Sequence, residues 1–165
     1  MAEDRSSTLS ALARLVHGRT VAALGTLHAG EPFVSMVPYA VLPGGGAFVI
    51  HVSRLAAHTK DMLEDPRVSL LIMQPEGGGV PAQALARVTI VGEAQETGKD
   101  SEEEHTCREA YLARFPDAAP LTDFADFSFF VIRPARARFV AGFAQATSVA
   151  AETLAKALAD DAVKE

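Results

Sequence analysis

Apolar and polar positions alternate along much of this chain in short runs, and turn residues separate one run from the next. This pattern is typical of half-buried β-strands, because successive side chains of a strand point to opposite faces. The first two runs are joined by Ala29 and Gly30, and we expect them to form an antiparallel meander with the third. Seven strands are predicted in all, at residues 19–28, 32–42, 47–52, 67–73, 84–95, 127–132 and 136–143.

Helical spacing of apolar residues marks four other segments. The first is predicted to begin at Ser6 or Ser7, either of which can cap a helix, and to end at Gly18 in a left-handed conformation. The other three helices are predicted at residues 54–64, 100–114 and 148–163. In the last of them, Leu154 and Leu158 lie on one side and are expected to face the core.

The connections between residues 19 and 53 are only a few residues long, which is too short for the crossovers that parallel strands require. Short strands with peripheral helices favour a closed or partly closed β-barrel over a layered parallel sheet. We therefore predict an α+β fold centred on an antiparallel barrel. No linker or internal repeat divides residues 1–165, so a single domain is expected.

The composition narrows the classes of function. The chain of 165 residues has a net charge of −6, which argues against binding nucleic acid through a basic face. Cys107 is the single cysteine, so no internal disulfide can form, and a reducing cytoplasm is the expected location. We see no leader-like start and no apolar run near the ~20 residues of a membrane span, so no membrane partner is predicted.

Between residues 48 and 68 a buried strand leads through a polar turn directly into a helix. The first turn of a helix presents free N–H groups and a partial positive charge, which together favour a phosphate. Ser53, His58, Thr59 and Lys60 add hydroxyl and cationic groups at the same place. Two interpretations stay open here: a site for a phosphorylated cofactor, or an N-capping Ser53 with a solvated Lys60.

Five motifs follow one another at residues 30–39, 48–53, 58–60, 65–70 and 87–94. In this order they resemble the pyridoxamine 5′-phosphate oxidase-like FMN-binding split-barrel family, and the similarity extends over about residues 9 to 145. The chain looks closest to the haem-utilisation (HugZ-like) branch, in which residues 136–143 also have a counterpart. The resemblance implies that the predicted barrel is a split barrel of about six to seven strands.

The resemblance further implies a homodimer that binds FMN in clefts between its subunits, and a small-molecule substrate of unknown identity. One strand would run beside the flavin ring, the turn and helix after residue 50 would hold the ribityl chain and phosphate, and a later strand would close the site. The residues implied in cofactor binding are Ser35, Met36, Val37, His51, Val52, Ser53, His58, Thr59, Lys60, Arg87 and Thr89. No catalytic residue and no metal ligand is predicted.

Two features distinguish the chain from relatives with assigned reactions. It has no tryptophan, and the segment from Ala144 onward offers nothing to hold pyridoxal phosphate, so oxidation of vitamin B6 is not expected. Its last histidine is His105, whereas the haem branch implies an axial histidine in a later region. We predict an FMN-dependent oxidoreductase. The alternatives left open are a haem-binding or haem-degrading protein, with His51 or His58 as iron ligand, and a non-catalytic flavin-binding module.

Overall fold

The computed structural model describes residues 2–143 and 145–161, and in this part of the chain eight strands and four α-helices follow one another. The helices are α1 (Ala2–Gly18), α2 (Ala57–Glu64), α3 (Glu102–Arg114) and α4 (Ala151–Asp161). The strands are β1 (Val21–His28), β2 (Glu31–Pro38), β3 (Ala40–Val41), β4 (Phe48–Ser53), β5 (Arg67–Met73), β6 (Arg87–Glu96), β7 (Phe127–Val140) and β8 (Ala146–Ala150). Two 3-10 helices lie at Ala82–Ala84 and Pro116–Asp123.

All the strands belong to one antiparallel sheet with the order β2-β1-β5-β6-β7-β4-β3, and β8 pairs with the second half of β7. The edge strands of this order are β2 and β3, yet Tyr39 alone separates them in the chain. The sheet must therefore curl until its two edges meet at this residue. The result is a barrel that is split along one seam, which confirms the predicted α+β fold with an antiparallel split β-barrel.

The interior of the barrel is filled by alternate side chains of its strands. Leu24, Ile50, Leu70 and Ile90 are completely buried there, and each such side chain contributes roughly 1.5–3 kcal/mol to the free energy of folding. Residues from both ends of the chain join this core. They are Leu12 and Val16 of α1, and Leu154 and Leu158 of α4.

A second apolar cluster lies beneath α3. Cys107 and Tyr111 of this helix pack against Val49 of β4 and against Phe129 and Val131 of β7. Burial raises the pKa of the Cys107 thiol to about 11, so this side chain is protonated at neutral pH and serves as a packing residue.

The predicted boundaries of the first two helices need correction. α1 already includes Ala2, so neither Ser6 nor Ser7 caps it, and Gly18 is its last residue without a positive φ angle. α2 begins at Ala57 rather than at residue 54, because the chain first turns through Arg54 and Leu55. The N-cap residue of α2 is Ala56, so the alternative interpretation of Ser53 as the N-cap of this helix is wrong.

The prediction for the second strand is also corrected. Residues 32–42 divide at Tyr39 into β2, which pairs with β1, and β3, which pairs with β4. The predicted meander is therefore broken at this residue. The long pairing partner of β4 is β7, which lies some 75 residues further along the chain.

The two strands predicted at 127–132 and 136–143 form the single strand β7. Pro134 lies inside it, opposite Gly92 and beside a shift of register after Val91. At such a bulge one residue is left out of the hydrogen-bonded ladder. A proline, which has no N–H group to donate, can therefore lie within the strand. A Cβ atom on Gly92 would lie 2.2 Å from the carbonyl oxygen of Arg133, which explains the glycine at this position.

The helix predicted at 148–163 begins later, because residues up to Ala150 extend the sheet as β8. Leu154 and Leu158 are buried as predicted, whereas Val163 lies outside the described residues. The predicted helix at 100–114 is confirmed as α3. Its N-cap Ser101 accepts a hydrogen bond from the backbone N–H of Glu104.

Candidate functional site

Two carboxylates from other parts of the chain lie at the turn after β4, where the sequence predicts a phosphate site. Ser53 donates its hydroxyl hydrogen to Oδ2 of Asp126 at 2.9 Å, and the guanidinium of Arg54 binds Glu96. Thr59 is fully buried and donates to the carbonyl oxygen of Ser53 at 2.7 Å. The structure thus brings Ser53 and Thr59 together, but both hydroxyl hydrogens are already donated within the protein.

The other two residues of the predicted phosphate site lie on α2. Lys60 is exposed, whereas His58 is half-buried. Burial lowers the pKa of His58, although the neighbouring Asp61 opposes this effect. His58 is therefore neutral at pH 7 and offers a phosphate no full positive charge.

His51 lies among aromatic rings beneath α3. Its ring centroid is 5.7 Å from that of Tyr111, 5.1 Å from that of Phe127 and 4.4 Å from that of Phe129. Burial, reinforced by the charge of Arg108, lowers the pKa of His51 to about 4. The residue is 8% exposed, so little of its imidazole is accessible to a ligand.

The predicted flavin-facing strand β2 presents its residues to both sides of the sheet. Val37 belongs to the core, as does Val52 of β4. Ser35 has the same orientation as Val37, and its buried Oγ atom has no hydrogen-bond partner within the described residues. Met36 is 62% exposed on the outer face.

The outer face of the sheet carries a cavity of about 650 Å³ at β6, β7 and β8. Two arginines of β7, Arg136 and Arg138, line it together with hydroxyl groups of Thr89 and Ser148. Arg138 donates from Nη1 to the Ser148 hydroxyl at 3.3 Å. Among the residues that the structure describes, no carboxylate lines this cavity, so its electrostatic character is that of an anion site.

Of the two residues predicted on β6, Thr89 lines this cavity and Arg87 does not. Arg87 instead donates from Nη1 to the carbonyl oxygens of Gln83 and Leu85, at 3.3 and 3.0 Å. The arginines of β7 were part of a motif that supported the family resemblance, but sequence reasoning did not include them in the site. Their spacing of two residues in one strand places both side chains on the same face of the sheet. This spacing could have identified the pair from the sequence.

A second polar cluster, which sequence reasoning also missed, connects α2 to β1. Asp61 is 2% exposed and accepts two hydrogen bonds, from Thr26 Oγ1 at 2.8 Å and from His28 Nδ1 at 2.7 Å. Burial by itself would raise the pKa of Asp61, but these hydrogen bonds hold it below its usual range. Asp61 is therefore ionised at neutral pH.

Neither the anion site at Arg136 and Arg138 nor the polar cluster around Asp61 is a ready site for a metal ion. In residues 2–143 and 145–161, no three histidine, cysteine, aspartate or glutamate side chains converge as such a site requires. The helices in the same part of the chain are too short or too polar to cross a membrane.

Comparison with known proteins identifies two curated relatives. The chain is 36% identical over 146 residues to the chloroplast heme oxygenase HOZ of Arabidopsis thaliana, an alignment that covers 86% of this chain and 43% of that protein. It is 30% identical over 138 residues to the heme oxygenase HutZ of Vibrio cholerae, with 82% of this chain and 77% of HutZ covered. The chain thus spans less than half the length of the Arabidopsis relative.

A solved structure of a heme binding protein from Mycobacterium smegmatis superposes with a TM-score of 0.79 at 34% sequence identity. This match covers 90% of the present chain and 60% of that protein. The family model described as pyridoxamine 5′-phosphate oxidase matches residues 9–141, which include the whole barrel up to the end of β7. The chain therefore belongs to the pyridoxamine 5′-phosphate oxidase family of split-barrel proteins.

Proposed function

We propose that this protein binds haem and takes part in its oxidative degradation. The observation that carries the proposal is the anion site at Arg136 and Arg138, which lies on a sheet face that also exposes apolar side chains. Relatives at 36%, 30% and 34% identity are named as heme oxygenases or as a heme binding protein, which supports the same ligand.

Haem is an amphiphile, with an apolar macrocycle and two carboxylates at one edge, and the outer face offers a partner for each part. One row of residues across the strands consists of Met36, Ala23, Leu71, Thr89 and Arg138, each paired with the next. With strands ~4.8 Å apart, the row spans roughly 19 Å from its apolar end to its cationic end. Carboxylates bound at the arginines would direct the macrocycle toward the apolar residues.

When bound, haem supplies the iron at which dioxygen reacts with the macrocycle itself. The residues of this chain bind and orient it. Arg136 and Arg138 would hold the carboxylates, because a guanidinium matches a carboxylate with two parallel hydrogen bonds. Val34 and Met36, which are 67% and 62% exposed, would exclude water from the apolar part.

A homodimer is part of this proposal, as the sequence predicts. The outer face of β1, β2 and β5 exposes the apolar side chains of Val21, Val34, Met36 and Met73. A contiguous apolar patch of this kind is typical of a surface that another subunit covers. A ligand bound beside the patch would then lie between two copies of the chain.

FMN is the second candidate, with the oxidoreductase activity predicted from the sequence. Thr89, which belongs to the predicted FMN residues, lines the anion site, and two arginines with two hydroxyl groups suit a phosphate as well as a carboxylate. At the turn after β4, the negative charges of Asp126 and Glu96 would repel a phosphate, which argues against FMN binding there.

Titrations of the purified protein with hemin and with FMN, followed by absorption spectroscopy, separate the two candidates. We expect tight hemin binding, and we expect the double variant R136A/R138A to raise the hemin Kd at least tenfold, since a charged hydrogen bond contributes about 1.5–3 kcal/mol. The matched control R14A/K156A removes two exposed positive charges from α1 and α4 and should leave the Kd unchanged. Binding of FMN without binding of hemin would overturn the haem proposal.

A further inference from the structure

A second cavity, of about 850 Å³, lies at the opposite end of β6 from the anion site. It is bordered by the turn after β4, the loop between β6 and α3, the first turns of α3, and the segment that leads from the 3-10 helix Pro116–Asp123 into β7. Thr89 lines the anion site and Glu96 lines this cavity, and their separation along one strand is roughly 23 Å. The two cavities are therefore separate sites.

The charges around this cavity differ from those of the anion site, which has no carboxylate within the described residues. Here the described residues contribute four carboxylates, those of Glu96, Asp100, Glu104 and Asp123. They also contribute three permanently positive side chains, those of Arg54, Lys99 and Arg108. With the imidazole of His105 neutral, the carboxylates outnumber the cations by one. A ligand with a positive charge is therefore favoured here over a simple anion.

Two of the three cations are already paired within the protein. The guanidinium of Arg54 binds Glu96. Arg108 donates from Nη1 to the hydroxyl oxygen of Thr122 at 2.6 Å and from Nη2 to the carbonyl oxygen of the same residue at 2.8 Å. Lys99, in contrast, is exposed and its ammonium group has no partner within the described residues. It is available to bind the carboxylate of a ligand.

The next residue, Asp100, supplies the opposite charge. Its φ angle is 56°, and its backbone N–H donates to Oε2 of Glu104 at 2.5 Å. The backbone N–H of Glu104 donates in turn to Oγ of Ser101 at 3.1 Å, so the turn is fixed by two hydrogen bonds. The side-chain carboxylate of Asp100 has no partner within the described residues. A cation and an anion thus lie on adjacent residues of a preorganised turn, which suits a zwitterion.

Aromatic rings form another part of the lining. Phe124 is 53% exposed, and its ring centroid lies 6.2 Å from that of Phe127. Both residues line the cavity. A planar ring that packs against Phe124 would remove its apolar surface from water, and an ammonium group near these rings would gain a cation–π interaction.

We propose that this cavity is a second binding site, and that its ligand is a small zwitterion with an aromatic ring, which is the chemistry of an aromatic amino acid. Lys99 binds the carboxylate, Asp100 and Glu104 bind the ammonium group, and Phe124 packs against the ring. The inference is independent of the haem proposal, since no residue that lines the anion site lines this cavity.

The test uses L-tryptophan as a fluorescent probe. The chain has no tryptophan, so the probe is observed without background when the excitation avoids the two tyrosines. We expect saturable binding of L-tryptophan by the wild-type protein. Tryptamine, which lacks the carboxylate, and indole-3-propionate, which lacks the ammonium group, should each bind at least about threefold more weakly. Glycine, which lacks the ring, should not compete.

The variant F124A tests the aromatic part of the site. We expect it to raise the Kd of all three indole compounds at least about fivefold, because the ring loses its packing partner. The matched control L121A removes another exposed apolar side chain, which lies three residues earlier and does not line the cavity. It should leave all three Kd values unchanged.

Two further variants test the charged groups separately. K99Q should weaken the binding of L-tryptophan and of indole-3-propionate at least about threefold and leave tryptamine unaffected. D100N/E104Q, in which residue 104 can still accept the hydrogen bond of the turn, should weaken L-tryptophan and tryptamine and leave indole-3-propionate unaffected. K156Q, which removes an exposed charge from α4, is the control. Circular dichroism verifies that each variant is folded.

Each contrary result overturns a stated part of the proposal. No saturable binding of L-tryptophan at millimolar concentration would overturn the site. Equal affinities for L-tryptophan and for either shortened compound would overturn the zwitterion as the ligand class. Binding that F124A, K99Q and D100N/E104Q all leave unchanged would place the probe elsewhere on the molecule and overturn the assignment to this cavity. Hemin binding at Arg136 and Arg138 is tested separately and is unaffected by these outcomes.

Discussion

The phenol of Tyr39 donates a hydrogen bond of 2.5 Å to the backbone carbonyl oxygen of Val16. Tyr39 separates β2 from β3, and Val16 lies in the last turns of α1, so this hydrogen bond joins the seam of the barrel to the first helix. Burial raises the pKa of the Tyr39 phenol, despite the nearby charges of Arg114 and Arg19. The phenol therefore stays protonated, and it remains a donor well into alkaline solution.

We expect Y39F to lower the free energy of unfolding by about 1–2 kcal/mol, because the carbonyl of Val16 would lose its buried donor. Phenylalanine retains the ring contact with Phe48, whose centroid is 5.8 Å away. Urea unfolding followed by circular dichroism measures the change. An unaltered midpoint at unaltered slope would mean that the hydrogen bond contributes no net stability.

A substitution in the turn before β4 should destabilise the protein more than Y39F does. Gly45 has a φ angle of +70°, and a Cβ atom there would lie 2.3 Å from the carbonyl oxygen of Ala155 in α4. We expect G45A to destabilise the protein by at least about 2 kcal/mol, through backbone strain and displacement of the helix. G46A is the matched control, since no described atom lies within 4 Å of its added methyl group and its φ is not positive. Equal melting temperatures for the two variants would contradict the prediction.

His51 should make the stability depend on pH. Its pKa is about 4 in the folded protein and 6.5 when unperturbed, because burial disfavours the charged ring. Between these values the unfolded chain takes up a proton and the folded chain does not. The contribution of His51 to the free energy of unfolding is therefore fully present above pH 6.5. It decreases by roughly 1–3 kcal/mol as the pH falls towards 4.

The variant H51F isolates this effect, since a phenylalanine can occupy the same aromatic cluster without a titrating group. We expect the difference in unfolding free energy between pH 7.5 and pH 4.5 to shrink in H51F and to stay the same in H105Q. A pH profile for H51F that parallels the wild-type profile would assign the dependence to other groups.

The proposed subunit interface predicts the effect of charge on the outer face. We expect sedimentation velocity to give a dimer for the wild-type protein and a monomer for V34E/M36E, because two desolvated carboxylates would oppose association. L63E places a charge at an exposed apolar residue on α2 and should remain dimeric. A monomeric wild type at micromolar concentration would overturn the interface.

Local patterns account for most of the fold. The bounds of β5 were predicted to the residue, and Ala29 and Gly30 form the predicted turn, with φ angles of 51° and 84°. The errors arise where long-range pairing overrides local preference. Pro134 argues for a strand end, yet the bulge opposite Gly92 accommodates it, and Ala146–Ala150 is a strand because β7 offers it an open edge.

The candidate site was less accessible to sequence reasoning. The residues at the β4 turn have the right chemistry for a phosphate, but Asp126, 73 residues after Ser53, accepts the hydrogen bond that an anion would need. His28 and Asp61 are likewise brought together by the tertiary fold and not by a local motif. Spacing within a strand could have placed Arg136 and Arg138 on one face, although not beside Thr89 and Ser148.

The continuity of β7 has a mechanical consequence. Its first half holds β4 and the aromatic cluster, its second half holds β8 and the arginines, and β6 is hydrogen-bonded along nearly its full length. A displacement of the arginines on ligand binding would therefore be transmitted through one unbroken backbone to the residues beneath α3. Because both halves of β7 belong to one continuous strand, they should respond together. A ligand bound on the outer face should therefore slow amide hydrogen exchange throughout Phe127–Val140.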